Sequence, residues 1–419
     1  MGQTISAVVV SQGRPELLAR CLMSLSQQQR VDLEVVVVAD AASLDHLAAG
    51  PFVGRFKPVL LEQANISLAR NMGIQAAAGD VVAFIDDDSA AEPTWAAFLT
   101  APLADPSVIA ATGFVRGRNG ITFQWKAEII DVFGNSHPMS VPEDEVSFHL
   151  PPKNGAIKTP GTNMAFRRAD LIAAGGFDER LHFYLDESDL NIRLSSRGLK
   201  TAVVPFAQVH HAYAASARRA ADRTPTSLFE IGASQSVFLS NHCPPDEVNS
   251  TLRRFASHQN SRLLRSLQRG PMGPETVFRL RRELAHGVEA GKKRGKWVPH
   301  IFAEGRSAFI SLCSQRQDDI CLKFMRPWNS AKMIGKIADL VVEGQIITVL
   351  EMAPTSVYHH VLYTNAGYWL QKGGTFGRSD RSDPIFRFTT FQRRCRKEIL
   401  RVSKVRGIAP CTLGTKRIR

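Results

Sequence analysis

The chain has 419 residues, of which 44% are hydrophobic and 22% charged, a composition typical of a folded protein with two or three domains. No stretch approaches the ~18 consecutive apolar residues of a membrane span, and no basic segment precedes the first apolar run as in a signal peptide. We therefore expect a cytoplasmic protein. The six cysteines are scattered without a CxxC pair, which argues against a disulfide scaffold and a zinc site.

The net charge of +13 is unevenly distributed. Residues 1–210 carry 17 Lys+Arg against 23 Asp+Glu, whereas residues 211–419 carry 35 against 16. An acidic first half and a basic second half indicate two different roles.

Apolar, β-branched runs alternate with helical stretches over the first 90 residues. We predict strands at Ile5–Val10, Leu33–Val38, Pro58–Leu61 and Val81–Ile85, and helices at Pro15–Gln28 and Ser67–Ala78. This alternation predicts a mostly parallel sheet, with the carboxyl ends of its strands along one edge. Ligands bind at that edge, so the candidate site residues are those that follow the strands, namely Ser11 to Arg14, Asp40 and Asp86 to Asp88.

The pattern changes twice along the rest of the chain. We first predict strands at Ile109–Val115, Thr162–Arg167 and Ala202–Val204, the last ending before Pro205, a polar loop over residues 134–155, and a helix at Leu185–Ser196. Basic helices follow at Leu252–Arg269 and Thr276–Val288, and then a mixed region with a strand at Gln345–Leu350. The predicted domains are residues 1–215, a basic helical extension over 216–298, and an accessory region over 299–419.

Three carboxylates end the fourth predicted strand, in the segment Phe84–Asp88. Such a cluster is costly at the end of a buried strand unless a cation neutralises it, and hard oxygen ligands suit Mg²⁺ or Mn²⁺. In an extended chain Asp86 and Asp88 point to one side and Asp87 to the other. Asp86 and Asp88 could therefore share one metal ion. A solvated acidic turn is the alternative interpretation.

A second acidic segment, Asp186–Leu190, opens a predicted helix. A carboxylate directed into a cleft could act as general base toward an attacking hydroxyl, and Arg193 could hold Asp189 by an ion pair. Acids at an exposed helix start are the plainer interpretation. Arg70 could approach a phosphate, and His210 or His211 could complete a metal shell, although both groups are also compatible with a solvated surface.

Six segments, taken in this order, resemble the family 2 inverting glycosyltransferases of GT-A fold. They are SAVVVSQGRPELLARCLMSL, EVVVVADAAS, NISLARNMGIQAAAGDVVAFIDDD, PGTNMAFRRADLIAAGGFDE, YLDESDLNIRLSSRG and VPFAQVHH, all within residues 4–215. The resemblance implies a metal-dependent enzyme, with Mg²⁺ or Mn²⁺, that moves a sugar from a nucleotide-sugar donor to a hydroxyl acceptor. It also implies a role in bacterial cell-surface or exopolysaccharide synthesis.

The resemblance assigns roles residue by residue. Donor contacts would come from Ser11, Arg14, Asp40, Arg70, Asp86 and Asp87, and acceptor contacts from Gly161, Thr162 and Asn163. The metal would be held by Asp86 and Asp88 with His210 or His211, the register of the doublet being open. Glu187 would be the base, with Asp186 and Asp189 as alternatives because the family's Glu-Asp pair is reversed here. Ala39 replaces an acid that usually precedes Asp40, which weakens the preference for a UDP-sugar donor.

The second half carries fewer chemical signals. Lys292, Lys293, Arg294, Lys296 and Trp297 could contact an anionic membrane from its inner face, as a lipid-linked saccharide acceptor would require, or simply form a solvated basic face. The segment KIADLVVEGQIITVLEMAP is typical of a helix–Gly–strand unit in a Rossmann-like, truncated domain, and loosely resembles the first units of GT-B glycosyltransferases.

Three other functions compete with this interpretation. A catalytically silent GT-A-like scaffold in a polysaccharide assembly complex would bind nucleotide without turnover. Nucleic-acid binding is suggested by the basic second half, but no nucleic-acid partner is expected, because aromatic residues do not alternate with the basic ones. A nucleotidylyltransferase would need a Gly-rich, basic N-terminal signature, of which only Gly13-Arg14 is present.

Overall fold

The computed structural model describes residues 3–312 and 320–408, except 213, 215–217, 221 and 223. The predicted boundary between residues 215 and 216 lies outside the described residues, as do Cys313 and Cys411. The other four cysteines are free thiols. No helix among the described residues is long and apolar enough to cross a membrane.

The N-terminal domain alternates strands and helices. Its strands are β1 (Ile5–Ser11), β2 (Leu33–Ala39), β3 (Lys57–Leu60), β4 (Val81–Asp86), β5 (Ser89–Ala91), β6 (Val108–Arg116), β7 (Phe123–Trp125), β8 (Glu128–Asp131), β9 (Ser136–Pro138), β10 (Ser147–His149), β11 (Gly155–Lys158), β12 (Met164–Arg167) and β13 (Lys200–His211). Its helices are α1 (Pro15–Leu25), α2 (Ala41–Ala48), α3 (Ile66–Ala76), α4 (Trp95–Thr100), α5 (Arg168–Ala173) and α6 (Asp186–Ser195), with a 3₁₀ turn at Ala101–Ala104.

The central sheet has the strand order β10-β13-β6-β12-β4-β1-β2-β3, with β5 paired to β13 and β7 to β6. Strands β3, β2, β1 and β4 are parallel, and β13 is parallel to β6. Strand β12 is antiparallel to both β4 and β6. A small sheet, β11-β8-β9, lies beside it. The sheet confirms the predicted α/β class and places the carboxyl ends of β1, β2 and β4 at one edge.

Helices cover both faces of the central sheet because its strands are apolar on both sides. On α1, which Pro15 opens, the buried Leu18, Leu22 and Leu25 recur at helical spacing and join one core layer. A second layer forms on the opposite face, where Ala69 and Ile74 of α3 pack with the strand residues. Helix α2 was not predicted.

Strand β13 is longer than predicted. It continues through Pro205 to His211, and its pairing with β6 shifts register between Val204 and Val209. Proline is tolerated at such an irregularity because it has no N–H to donate to the ladder. The extension pairs with β5, so that His210 lies opposite Ala90 and His211 opposite Ser89. The histidine pair therefore belongs to a strand and not to a loop.

Three long helices follow: α7 (Phe229–His242), α8 (Val248–Gln268) and α9 (Pro274–Lys292). The last two confirm the predicted basic helices, whereas α7 was not predicted. A Cβ at Gly287 or Gly291 of α9 would clash with carbonyl oxygens of α7, so the two helices approach at glycine. The chain then returns along the N-terminal domain: the His300 amide donates to the Gly175 carbonyl (3.0 Å), and the Leu312 amide to that of Leu33 (2.8 Å).

The C-terminal region is a second, smaller α/β unit. It contains β14 (Ile320–Met325), a 3₁₀ turn (Pro327–Asn329), α10 (Ser330–Val342), β15 (Ile346–Ala353), β16 (His360–Tyr363), β17 (Trp369–Gly374) and α11 (Phe391–Val402). The sheet order is β14-β15-β17-β16, and only β16 is antiparallel to its neighbour. The predicted helix–Gly–strand unit is confirmed as α10, Gly344 (φ 96°) and β15.

Candidate functional site

The end of β4 and the end of β13 bring three potential metal ligands together. One ligand atom from each of Asp86, Asp88 and His211 lies within 4.8 Å of the others. The Nε2 atom of His211 is 3.1 Å from Oδ1 of Asp88 and 3.9 Å from Oδ2 of Asp86. Two of the three side chains are buried, and that of Asp86 is partly open to solvent.

The surroundings of this cluster favour positive charge between the carboxylates. The hydrogen bond and charge of His211 overcome burial and hold the pKa of Asp88 at about 2. Burial opposes protonation of His211, but Asp88 and Asp86 still raise the pKa of its imidazole. Thr162 donates to Asp86 Oδ2 at 2.5 Å, and the Ala214 amide donates to Asp88 Oδ2 at 2.8 Å. Two oxygens and one imidazole nitrogen are a donor set that fits a divalent cation such as Mg²⁺ or Mn²⁺.

Asp87 points away from the cluster, as the alternation of an extended chain predicts. The Ser11 hydroxyl donates to its Oδ2 at 2.6 Å, and Arg14 Nη2 lies 2.6 Å from its Oδ1. Burial and the neighbouring carboxylates raise the pKa of Asp87 to about 7 despite these two partners. Asp87 thus ties the loop after β1 to the end of β4.

A cleft of about 370 Å³ opens beside the cluster, between the loop after β1 and the start of α3. Its lining includes Ser11, Arg14, Asp86 and Asp87. It also includes Gln12, from the predicted Ser11 to Arg14, and residues that were not predicted, namely Gln63, His182, Phe183 and Arg218.

Asp40 supports this cleft from behind. Its carboxylate accepts hydrogen bonds from the Gly13 amide (2.6 Å) and from the amide (3.0 Å) and hydroxyl (2.9 Å) of Ser43. The residue is therefore the N-cap of α2 and fixes the loop after β1. Contact of the Asp40 carboxylate with a nucleotide base stays a prediction.

The acidic helix α6 begins after a strained turn. Tyr184 and Leu185 both have positive φ, 79° and 64°, which is rare for bulky residues and concentrates at functional sites. Asp186, the first helical residue, forms a buried ion pair with Arg70, whose guanidinium lies 5.3 Å from the ring centroid of Phe177. Arg70 is thereby directed to α6, and its contact with the donor phosphates stays a prediction.

The three acids of α6 have different surroundings. Asp189 is fully buried, accepts hydrogen bonds from Arg193 (2.8 Å), Asn241 (2.9 Å) and His242 (2.8 Å), and has a pKa that these partners hold at about 2 against the effect of burial. Asp186 is 3% exposed, whereas Glu187 is only half-buried. Of the three, Glu187 is the carboxylate that an acceptor could reach.

Two further predicted residues lie away from the cleft. The fully buried Asn163 donates to the carbonyls of Phe114 (3.1 Å) and Ala207 (2.8 Å) and accepts from Trp95 Nε1 (2.8 Å), so it joins β6 to β13. The Nε2 atom of His210 is 2.9 Å from Oε1 of Glu92, on the face of β13 opposite His211. The structure therefore brings His211, but not His210, to the metal cluster.

Gly161 and Thr162 remain close to the site. A Cβ at Gly161 would clash with the guanidinium of Arg70, so glycine allows the loop before β12 to approach the ion pair with Asp186. Among residues that the sequence did not indicate, Gln124 lies 3.1 Å from Nδ1 of His211 and can fix its ring. Gln124 could not be identified from the sequence, because strand β7 is short and lies far along the chain from the other site residues.

Parts of the chain are similar to known proteins. Residues 6–171 match the family model described as glycosyl transferase family 2. The chain is similar to the glucosyl-dolichyl phosphate glucuronosyltransferase of Haloferax volcanii, with 30% identity over 183 residues that cover 42% of this chain and 56% of that protein. It is also similar to the pre-mycofactocin glycosyltransferase of Mycobacterium tuberculosis, with 26% identity over 185 residues that cover 42% of this chain and 37% of that protein.

The chain thus spans about half the length of these relatives or less. Among solved structures it is similar to GalNAc-T7 with UDP, GalNAc and Mn²⁺, with a TM-score of 0.47 and 16% identity over 70% of this chain and 56% of that chain. The N-terminal segment of the chain, residues 6–171, thus resembles the glycosyl transferases of family 2.

Proposed function

We propose that this protein is a metal-dependent, inverting glycosyltransferase that moves a sugar from a nucleotide-sugar donor to a hydroxyl acceptor. The observation that carries the proposal is the convergence of Asp86, Asp88 and His211 beside a polar cleft. This arrangement supports a donor diphosphate bound at the cluster, with its nucleoside in the cleft. The match of residues 6–171 to glycosyl transferase family 2 supports the same reaction class.

The cation would be held by Asp86, Asp88 and His211, with Mg²⁺ and Mn²⁺ as the candidates. When bound, such an ion stabilises the negative charge of a leaving diphosphate as a Lewis acid. Ser11 and Arg14 lie at the same edge and would keep Asp87 turned away from the ion. Thr162 would orient the Asp86 carboxylate through its hydrogen bond.

Glu187 is the proposed general base. It would accept the proton of the acceptor hydroxyl while that oxygen forms its bond to the anomeric carbon. The bond from this carbon to the diphosphate breaks at the same time, and its electron pair leaves with the diphosphate oxygen. One displacement of this kind inverts the anomeric configuration. Arg70 and Asp186 would position the first turn of α6 through their buried ion pair.

The substrates are proposed at the level of class. A UDP-sugar is the preferred donor, and the acceptor is a saccharide or a lipid-linked saccharide of a bacterial cell-surface or exopolysaccharide pathway. A lipid-linked acceptor would require contact with the inner face of a membrane. Within residues 292–297, Arg294 pairs with Glu230 (2.8 Å), Lys292 pairs with Glu289 (2.7 Å), and the ring of Trp297 lies 4.5 Å from the guanidinium of Arg193. The basic side chains that remain for a headgroup layer are those of Lys293 and Lys296.

Calorimetry with nucleoside diphosphates and nucleotide-sugars, with and without Mn²⁺ or Mg²⁺, tests the proposal. We expect one nucleotide to bind only with metal, and Asp88→Ala to abolish that binding. Asp144→Ala, which removes an exposed carboxylate remote in sequence from the cluster, is the matched control and should bind normally. Metal-independent binding, or equal loss in both variants, would refute the assignment of the cluster.

A silent scaffold is the second candidate, favoured by the reversed order of Asp186 and Glu187. Such a protein would give the same metal-dependent binding. The two candidates differ in turnover, because an active enzyme consumes the bound nucleotide-sugar and a scaffold does not. Release of nucleoside diphosphate during the titration therefore separates them.

A further inference from the structure

Large apolar side chains protrude at the carboxyl-end edge of the small C-terminal sheet. They lie in the segments that follow β14, β15 and β17. Their exposed fractions are 68% for Trp328, 62% for Val357, 48% for Tyr358, 66% for Ile385, 57% for Phe386 and 84% for Phe388. We name these six residues the aromatic edge.

The aromatic edge is held together by direct contacts. The ring of Phe376 lies 5.5 Å from that of Phe386 and stacks on that of Phe388 at 5.9 Å between centroids. The Phe376 amide donates to the Thr355 carbonyl (3.0 Å), which joins this loop to the segment with Val357 and Tyr358. The rings of Phe386 and Phe388 are therefore fixed next to the segment with Val357 and Tyr358.

Basic residues surround the same surface. Residues 376–404 contain nine Lys+Arg and three Asp+Glu. Two of these acids are already paired, Asp383 with Lys397 (2.6 Å) and Glu398 with Arg401 (3.0 Å). Arg393, Arg396 and Leu400 are exposed at helical spacing on one face of α11, directly after the loop with Phe388.

We propose that the aromatic edge docks this protein on an anionic lipid bilayer. Ile385, Phe386 and Phe388 would enter the boundary between headgroups and acyl chains, and the arginines of α11 would lie among anionic headgroups. A protruding loop of three large apolar residues fits a soft interface, whereas a rigid protein partner would need a matching groove. The basic surroundings add the charge complementarity that a neutral partner would not need.

This surface differs from the basic segment at residues 292–297. There Trp297 packs against Arg193, and the exposed apolar side chains beside the lysines are the aliphatic Val298 (76%) and Ile301 (90%). That segment therefore offers no exposed aromatic ring together with free positive charge. At the aromatic edge both are exposed side by side. The proposal does not depend on catalysis, and its test requires no sugar donor.

Co-sedimentation of the full chain with vesicles tests the proposal. We expect binding to vesicles of phosphatidylcholine mixed with phosphatidylglycerol, and weak binding to phosphatidylcholine alone. Phe386→Ser/Phe388→Ser should lower the partition coefficient about tenfold or more, because two large apolar side chains are lost from the interface. Arg393→Gln/Arg396→Gln should lower it about fivefold or more at low salt.

Two matched variants serve as controls. Phe278→Ser removes an equally exposed aromatic side chain (64%) from α9, and Lys292→Gln/Lys293→Gln/Lys296→Gln removes the competing basic group. Both should bind vesicles normally, and all variants should unfold at the wild-type temperature. The proposal is overturned if the wild type does not bind anionic vesicles, or if the lysine variant loses binding while the phenylalanine variant keeps it. It is also overturned if the phenylalanine variant binds vesicles like the wild type but has a different oligomeric state in sedimentation velocity, because the surface would then be an oligomer interface.

Discussion

Replacing Arg406 with methionine should destabilise this protein severely, because Arg406 supplies the cation of a buried ion pair. Arg406 Nε lies 2.9 Å from Oε2 of Glu92, and both side chains are 1% exposed. Glu92 also accepts from Nε2 of His210 at 2.9 Å, and the ring of Trp369 lies 4.6 Å from that of His210. The substitution would leave a buried carboxylate with only a neutral imidazole as partner.

The magnitude can be obtained in two ways. Removing one partner of a buried ion pair typically costs about 3–5 kcal/mol, because the remaining charge is uncompensated. Independently, Arg406 and His210 overcome burial and hold the pKa of Glu92 at about 2 instead of 4.5, which corresponds to roughly 3 kcal/mol. We therefore expect the free energy of unfolding to fall by about 3 kcal/mol at neutral pH.

Urea denaturation of four proteins measures this effect: the wild type, Arg406→Met, Glu92→Gln and the double variant. The double variant carries no uncompensated charge, so it should recover at least half of the stability lost in Arg406→Met. A loss below about 1 kcal/mol in Arg406→Met would refute the reasoning, as would a double variant that is as unstable as the sum of the single ones.

The same variant should weaken the metal site. Glu92 follows β5 directly, and β5 pairs with the end of β13 that carries His211. Loosening this ladder should reduce the Mn²⁺ affinity of the folded protein by about tenfold, or roughly 1.4 kcal/mol. Calorimetry under conditions where the variant is fully folded distinguishes this effect from simple loss of stability.

Three further predictions follow from the site. Glu187→Gln should retain metal-dependent nucleotide binding and lower turnover about 100-fold or more. Asp189→Asn should mainly lower the free energy of unfolding in urea denaturation, by about 3 kcal/mol. The reverse pattern would make Asp189 the base. Asn163→Ala should cost about 1–3 kcal/mol of stability, because Trp95 Nε1 loses its buried acceptor, and should leave nucleotide affinity in calorimetry unchanged. Hydrogen-bonding and charged partners hold the pKa values of Glu92 and Asp189 at about 2. The contribution of these two carboxylates to the free energy of unfolding is therefore complete above their ordinary pKa values of 4.5 and 3.8, and it is lost as the pH falls toward 2. A free energy of unfolding that stays constant from pH 5 to pH 2 in acid denaturation would contradict this.

The sequence predicted the parallel part of the sheet because each strand there is a short apolar run between helical stretches. It did not predict α2, since Asp40 was interpreted as a ligand for the nucleotide base. The structure shows that the Asp40 carboxylate caps α2 through Ser43. Aspartate followed three residues later by serine is compatible with both roles, and only the direction of the side chain separates them.

The choice between His210 and His211 as metal ligand depends on where strand β13 ends, which the sequence did not indicate. Pro205 indicated the end of a strand, yet the irregular pairing between Val204 and Val209 accommodates it. Once the strand is known to continue, adjacent residues must point to opposite faces, and His210 and His211 cannot both reach the carboxylates of β4. The choice between the two histidines thus stayed open because the strand was predicted to end before Pro205.

The choice among the three acids of α6 could not be made from their own segment. Asp189 accepts hydrogen bonds from Asn241 and His242, which lie on α7. Polar and apolar residues are mixed around this helix, so its sequence shows no helical periodicity. Burial of one face of α6 by a helix about 50 residues later is a tertiary effect. It is this contact that distinguishes Glu187 from Asp189.

The C-terminal region, to which the sequence assigned no role, contacts the strands that carry the metal ligands. Its Arg406 pairs with Glu92 beside β5, and its Trp369 lies against His210, the neighbour of His211. The Gln27 side chain also donates to the Gly367 carbonyl at 2.7 Å, and the Thr94 hydroxyl to that of Val405 at 2.8 Å. Strand β13 thus has the candidate metal ligand His211 on one face and this contact, through His210, on the other. These contacts indicate that the accessory region supports the strand that carries His211.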